Sequence, residues 1–111
     1  MSILTGFKKI RDAYVIRQAR NAKIPDFPPD AIRRYRITFI GRVQNVGFRL
    51  EVSELMKRLE LTGYCKNLDN GNVVAELQGP KNKIQYLISF MESLIRIKIR
   101  EKIITELDIV E

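Results

Sequence analysis

Residues 35–49 read YRITFIGRVQNVGFR and join a predicted strand to a predicted helix through a turn that contains glycine. Tyr35, Ile37 and Phe39 alternate with polar neighbours, which is the two-residue period of a β-strand. The first amides of the helix that follows have no acceptor within the helix and lie at the positive end of its dipole. The turn is therefore suited to bind an anion without a metal ion, and Arg49 would add a charge-assisted contact.

Hydrophobic periodicity predicts the elements that follow the turn. The first helix is expected to end at Gly63, and its apolar residues have helical spacing: Val52, Leu55, Met56 and Leu59. Two extended runs, 64–68 and 73–77, are joined by a segment with Asn70-Gly71, the strongest short hairpin signal. A second helix follows Gly79-Pro80, with these residues expected on its buried face: Ile84, Leu87, Ile88, Met91 and Ile95.

A final strand is indicated by alternation from Ile103 to Ile109, which completes the order βαββαβ. This order is typical of the α+β ferredoxin-like fold, the split βαβ sandwich. We therefore expect one antiparallel sheet with two helices on one face, formed by residues 31–111.

Residues 1–30 are predicted to form a basic, helical N-terminal arm that ends in a proline-rich linker. Residues 1–23 carry six basic side chains and one acidic side chain, so most of the net charge of +7 belongs to the arm. One apolar stripe recurs along it: Ile3, Phe7, Ile10 and Tyr14. Two interpretations stay open. The arm contacts an acidic surface, nucleic acid or a partner, or it packs this stripe on its own domain or on another copy.

Composition excludes several kinds of site. The chain of 111 residues suits one compact domain, and it contains no histidine and a single cysteine, Cys65. Histidine-dependent nucleophilic catalysis, histidine-ligated zinc and an internal disulfide are therefore excluded. No apolar run is long enough to cross a bilayer, and a cytoplasmic location is expected by default.

Three ordered blocks of the chain resemble the acylphosphatase family: GRVQNVGFR, LTGYCKNLDNGNV and QGP, between Tyr35 and Ile95. The resemblance implies a hydrolase that cleaves small acyl phosphates to carboxylate and inorganic phosphate without cofactor or metal. By position, Arg49 matches the phosphate-binding arginine of the family and Asn67 its water-orienting asparagine. The phosphate cradle of the family corresponds to the backbone amides of Gln44, Asn45, Val46, Gly47 and Phe48.

The chain departs from the family pattern at two places. Asn45 stands where the family usually has glycine, and asparagine is the side chain that best tolerates positive φ, so the cradle is expected to survive. The family also commonly continues into a short aromatic-containing strand, whereas this sequence stops at Glu111. One sheet edge is therefore expected to be bare or covered by the arm.

The sequence leaves two other functions open. A diverged acylphosphatase-like module could bind an anion, a partner or nucleic acid without turnover. A basic ferredoxin-like domain could also bind RNA on sheet aromatics, although the run 73–77 has no aromatic residue for such a platform.

Overall fold

The computed structural model describes the chain from residue 3 to residue 111, with side chains described from residue 6 onward. Its elements are α1 (Ile3–Asn21), β1 (Ile32–Arg42), α2 (Phe48–Leu59), β2 (Thr62–Asn67), β3 (Val73–Pro80), α3 (Lys81–Ser93) and β4 (Lys98–Leu107). From β1 onward the order is βαββαβ, so the predicted ferredoxin-like α+β fold is confirmed. Among the described residues, no helix is both long and apolar enough to cross a membrane.

The strands form one antiparallel sheet in the order β2-β3-β1-β4. Val73 on β3 pairs with Phe39 on β1 and with Asn67 on β2. Because β1 and β2 both run antiparallel to β3, their carboxyl ends lie at the same end of the sheet. The register therefore places the loop after β1 near Asn67. Within the described residues β2 and β4 are the two edge strands, and no further strand pairs with either.

The hydrophobic core lies between the sheet and the helices α2 and α3. All four predicted apolar residues of α2 are buried, as are the first four predicted for α3. Ile95 is 90% exposed, so its predicted burial was wrong. The reason is that α3 ends at Ser93, and the extended residue Leu94 occupies the last buried position instead.

The C-terminal end of α2 also differs from the prediction. The helix ends at Leu59, and Glu60 adopts the left-handed conformation with φ 57°. The amide of Leu61 then donates to the carbonyl oxygen of Met56 at 2.9 Å, as in the left-handed helix ends that glycine usually forms. Gly63 lies on β2 instead, where a Cβ atom would overlap the carbonyl oxygen of Glu76 on β3. Glycine is therefore needed at position 63 for the pairing of β2 with β3, and not to end the helix.

Helix α1 packs against α2 through small side chains. Val15 and Ala19, one turn apart, are fully buried. Arg58 of α2 donates to the carbonyl oxygens of Ala19 and Ala22 at 2.7 and 2.6 Å, which satisfies acceptors that a helix end leaves free. The apolar stripe named from the sequence is not the packing face: Phe7, Ile10 and Tyr14 are exposed, and the side chain of Ile3 lies outside the described part.

The linker that follows α1 runs along α3. The Tyr86 hydroxyl donates to the carbonyl oxygen of Lys23 at 3.1 Å, and the ring of Phe27 meets that of Tyr86 edge-on at 5.5 Å. Near the end of the linker, a carboxylate oxygen of Asp30 accepts from the amide of Asn82 at 3.0 Å, within the first turn of α3. This contact caps a helix whose own N-cap residue, Pro80, makes no side-chain capping bond.

Candidate active site

The loop between β1 and α2 curls through two left-handed residues. Asn45 has φ 60° and Gly47 has φ 78°, and α2 begins directly after Gly47. The expected tolerance of positive φ at Asn45 is thus confirmed, because asparagine adopts the left-handed conformation with less strain than other side chains. A curl of this kind turns successive backbone amides toward one side and forms an anion-binding concavity.

The hydrogen bonds of the loop support this orientation. Among the backbone groups of residues 3–111 and the side chains from residue 6 onward, none accepts a hydrogen bond from an amide between Gln44 and Phe48. Three of the four carbonyl oxygens between them have donors: Arg11 for Asn45 at 3.1 Å, Arg96 for Val46 at 2.7 Å, and the Glu51 amide for Gly47 at 3.0 Å. Since the C=O and N–H of a trans peptide point in opposite directions, these bonds turn the following amides away from the donors.

A pocket of about 750 Å³ lies over this loop. Arg49 and Asn67 both line it, although 18 positions separate them in the sequence. Asn45, Gly47 and Phe48 line the same pocket. The structure thus brings together most of the residues that the sequence indicated, while the roles assigned to them stay predictions.

Gln44 and Val46 are not among the residues that line the pocket. The carboxamide of Gln44 donates to the carbonyl oxygens of Leu68 and Asn72 at 2.7 and 2.9 Å, which ties the loop to the β2–β3 hairpin. Val46 is buried in the core. Both residues can contribute only their backbone amides to the site, the part that was predicted for them from the sequence.

Cys65 also lines the pocket, beside Arg49. Burial raises the pKa of its thiol to about 12, and the nearby Arg49 guanidinium lowers it only in part. The thiol is therefore protonated at neutral pH, which makes it a poor nucleophile. A packing role is consistent with this state.

An ion pair between Glu51 and Arg96 lies next to the loop. Glu51 is fully buried, and one of its carboxylate oxygens accepts from Arg96 at 2.6 Å. The pKa of Glu51 is raised, because the effect of burial exceeds the opposite effects of the hydrogen bond and the charge of Arg96. The Arg96 guanidinium also donates to the Val46 carbonyl and to Gln18 of α1. Arg96 thus connects the loop, α1 and α2.

The residues that reach the loop from other elements were not predicted from the sequence. Four residues of α1 line the pocket: Phe7, Lys8, Arg11 and Asp12. The basic character of residues 1–23 was a signal that the arm matters, but the docking of α1 decides which of its side chains face the pocket. Arg96 gave no local signal, because its partners lie on α1, the loop and α2.

No group of three or more His, Cys, Asp or Glu side chains with metal-binding geometry occurs in the part of the chain that the structure describes. The polar groups of the pocket are amides, guanidinium groups, an ammonium group, a hydroxyl group, a thiol and the Asp12 carboxylate. Such donors suit a phosphate group better than a divalent cation. That the site works without a metal or cofactor stays a prediction.

Comparisons with known proteins agree with this geometry. An acylphosphatase from Clostridium beijerinckii is 48% identical over 56 residues, which are 50% of this chain and 62% of that protein, so the chain spans less than two thirds of it. One from Picrophilus torridus is 40% identical over 60 residues, 54% of this chain and 74% of that protein. The crystal structure of acylphosphatase from Bacillus subtilis is 33% identical with a TM-score of 0.66, and the match covers 73% of this chain and 90% of that one. The family model for acylphosphatase matches residues 35–108, which excludes α1 but includes the loop, Arg49 and Asn67, and the chain therefore belongs to the acylphosphatase family.

Proposed function

We propose that this protein hydrolyses the carboxyl–phosphate bond of small acyl phosphates, giving a carboxylate and inorganic phosphate. One observation carries the proposal: Arg49 and Asn67 line a single pocket together with Asn45, Gly47 and Phe48 of the loop, whose amides have no acceptor among the described residues. The family membership of residues 35–108 supports the same reaction class.

The phosphate group would bind to the loop and to Arg49. The amides from Gln44 to Phe48 offer several donors around one centre, at the positive end of α2. The planar guanidinium of Arg49 adds two parallel donors that match two phosphate oxygens. This arrangement would stabilise the negative charge of the phosphate group without a bound cation.

Acyl phosphates need little chemical help beyond positioning. Their leaving group is a carboxylate, which departs as a stable anion and requires no proton from the enzyme. As the phosphorus–oxygen bond breaks, charge spreads over the three equatorial oxygens of the transferring group. Preorganised amides and a guanidinium group can stabilise that charge as it develops.

Asn67 would orient the attacking water in line with the leaving carboxylate. A carboxamide is not basic enough to take a proton at neutral pH, so Asn67 contributes hydrogen bonds only. Cys65 is protonated, the Glu51 carboxylate is buried against Arg96, and the Asp12 carboxylate is paired with Arg11. A phosphate oxygen of the substrate therefore accepts the proton of the water.

The proposal also includes the organisation of the chain and its location. Residues 31–111 would form the catalytic domain, and residues 1–30 would be an addition to it. This division is supported by the start of the family match at Tyr35. A cytoplasmic location rests on the lone cysteine, which suits a reducing compartment.

The test is an assay of inorganic phosphate released from acetyl phosphate and benzoyl phosphate, with added phosphate as a competitive inhibitor. We expect hydrolysis of both substrates and competitive inhibition by the product. Phosphate binding without hydrolysis would instead favour the diverged binding module. Absence of both, with RNA binding that weakens steeply as salt rises, would favour a nucleic-acid binder.

A further inference from the structure

We propose that α1 is a working part of the active site and that its Arg11 is a positioning residue, which fixes the direction of the Val46 amide for phosphate binding. The inference rests on the function proposed above. It concerns a helix outside residues 35–108, the part of the chain that the family match covers.

Arg11 bonds directly to the loop. Its Nη1 atom donates to the carbonyl oxygen of Asn45 at 3.1 Å. Its Nε and Nη2 atoms donate to one carboxylate oxygen of Asp12 at 3.2 and 3.0 Å, and the Arg11 side chain is only 31% exposed. Asp12 therefore occupies one edge of the guanidinium and leaves Nη1 for the loop.

The next residues of the loop also contact α1. A Cβ atom on Gly47 would lie 2.7 Å from a methyl carbon of Val15, so the absence of a side chain at Gly47 lets the helix pack directly on the loop. Between these contacts, the Val46 carbonyl accepts from Arg96, which in turn donates to Gln18 of α1 at 2.6 Å. Three consecutive loop residues are thus held by α1, directly or through Arg96.

Bonds of this kind determine where the amides point. The carbonyl of Asn45 and the N–H of Val46 belong to one planar peptide, so a donor on the carbonyl fixes the N–H on the opposite side. A charged donor also polarises the peptide, which strengthens the N–H as a donor to an anion. A loop fixed before the substrate arrives loses less free energy when it binds and stabilises charge.

The two central peptides of the loop are held by different residues. Arg11 of α1 holds the peptide between Asn45 and Val46, whereas Arg96, which follows α3, holds the peptide between Val46 and Gly47. Loss of Arg11 should therefore disturb the Val46 amide and leave the Gly47 amide in place. This difference separates a positioning role from a general loss of structure.

The experiment compares the full-length protein with Arg11→Ala, Arg11→Lys and the control Lys9→Ala, in which an exposed side chain of α1 outside the pocket is removed. We expect Arg11→Ala to weaken phosphate binding and lower kcat/KM for acetyl phosphate by about three- to tenfold, the effect of one hydrogen bond. Arg11→Lys should recover part of the loss, because it keeps the charge but not the fixed fork. Lys9→Ala should stay within about twofold of the wild type, as a surface substitution away from any contact.

The second readout is the shift of each loop amide in ¹H–¹⁵N spectra on saturation with inorganic phosphate. In Arg11→Ala the response of Val46 should shrink while that of Gly47 stays close to the wild-type value. Wild-type binding in Arg11→Ala would overturn the inference. An equal loss at every loop amide would overturn it too, since that result indicates a direct phosphate ligand.

The two proposals can fail separately. A wild-type protein that binds phosphate but hydrolyses no acyl phosphate refutes the proposed reaction, and the amide shifts still test Arg11. An active wild type with unchanged Arg11 variants refutes only the inference about α1. If α1 detaches in Arg11→Ala, the amide signal of the buried residue Ala19 will change. The amide shifts of Val46 and Gly47 are then compared between the wild type and Arg11→Lys, which keeps the aliphatic part of the side chain.

Discussion

Arg49 is exposed near the start of α2 and lines the pocket beside the loop amides. Its replacement by alanine removes the only guanidinium that the sequence assigned to the phosphate. We expect Arg49→Ala to lose both phosphate affinity and turnover, the latter by at least about 10² in kcat/KM, because binding and charge stabilisation depend on the same group. Phosphate titration and steady-state kinetics on one preparation would check this. An Arg49→Ala protein with wild-type affinity would contradict the assignment.

Asn67 should give a different pattern. It ends β2, at the same end of the sheet as the loop, and in the proposed reaction it contacts the water rather than the phosphate. We expect Asn67→Ala to lower kcat by about 10² to 10³, the usual effect of losing one preorganised donor, while phosphate affinity stays within about threefold. Exposed Asn70 in the hairpin turn, changed to alanine, is the control for a carboxamide outside the pocket. A fully active Asn67→Ala enzyme would refute the role.

Substitutions at Asn45 test whether the backbone conformation of the loop matters, because no catalytic role is assigned to the Asn45 side chain. Its φ of 60° suits glycine and asparagine, whereas a Cβ without a local hydrogen-bonding group is strained there. We expect Asn45→Ala to lower the free energy of unfolding by about 1–2 kcal/mol and to reduce activity. Asn45→Gly should stay within about 1 kcal/mol of the wild type and remain active. Urea denaturation of both variants measures the difference, and equal stabilities would show that the left-handed turn carries no strain.

The candidate site was predictable where its residues lie in short, local patterns. The loop, Arg49 and Asn67 belong to contiguous blocks whose order and spacing are specific, so their approach across the sheet followed from the topology. Arg11 and Arg96 were not predictable, because each acts on the loop from an element distant in sequence. Their role depends on helix docking and on guanidinium direction, which periodicity does not encode.

At the scale of elements, the packing of α1 on the loop depends on Gly47. A side chain there would meet both the strain of φ 78° and the Val15 methyl group. Gly71 is a matched control, since its φ is 93° and a Cβ atom at that position would have no neighbouring atom within 4 Å. We expect both alanine variants to be destabilised by about 1–2 kcal/mol from backbone strain. Gly47→Ala should lose about 1–3 kcal/mol more from overpacking, together with activity.

Thermal or urea unfolding of the two glycine variants provides the measurement. If the free energy of unfolding falls by the same amount in Gly47→Ala and Gly71→Ala, α1 does not pack closely on the loop at Gly47. If Gly47→Ala keeps the helical content of the wild type but loses hydrolysis, the packing of α1 on the loop is needed for the reaction.

The elements themselves followed closely from hydrophobic periodicity. The order βαββαβ and the buried stripes of α2 and α3 were predictable, because the sheet forces one face of each helix into the core. The exceptions lie at element ends and in α1. Ile95 continues the period of α3 beyond its last turn, and α1 buries Val15 and Ala19 rather than its larger apolar residues. Close helix packing favours small side chains, and periodicity alone favours large ones.

The free energy of unfolding of the protein at low pH should depend on Glu76. This buried carboxylate lies on the sheet face away from the helices, where it accepts hydrogen bonds from Tyr64, Arg34 and Arg36. These partners lower the pKa of Glu76 from 4.5 to about 2. A carboxylate with a lowered folded-state pKa stabilises the protein above its unfolded pKa, and that contribution is lost as the pH falls toward the folded value.

We therefore expect the free energy of unfolding to fall as the pH drops from about 4.5 to about 2, with Glu76 as a main contributor. Glu76→Gln should be less stable at neutral pH and should show a shallower slope across this range, because it binds no proton there. Glu101→Gln, which changes an exposed carboxylate on β4, should keep the wild-type slope. Urea unfolding at several pH values checks the three curves, and a wild-type slope in Glu76→Gln would contradict the expectation.

The position of α1 has a practical consequence for handling the protein. An affinity tag joined ahead of α1 would be carried by the helix whose Phe7 and Lys8 line the pocket. The other terminus lies at the far end of the sheet, where Val110 exchanges two hydrogen bonds with Gln78. Purification through a C-terminal tag therefore keeps foreign sequence away from the pocket, and measurements made with an N-terminal tag would mix the properties of the protein with those of the fusion.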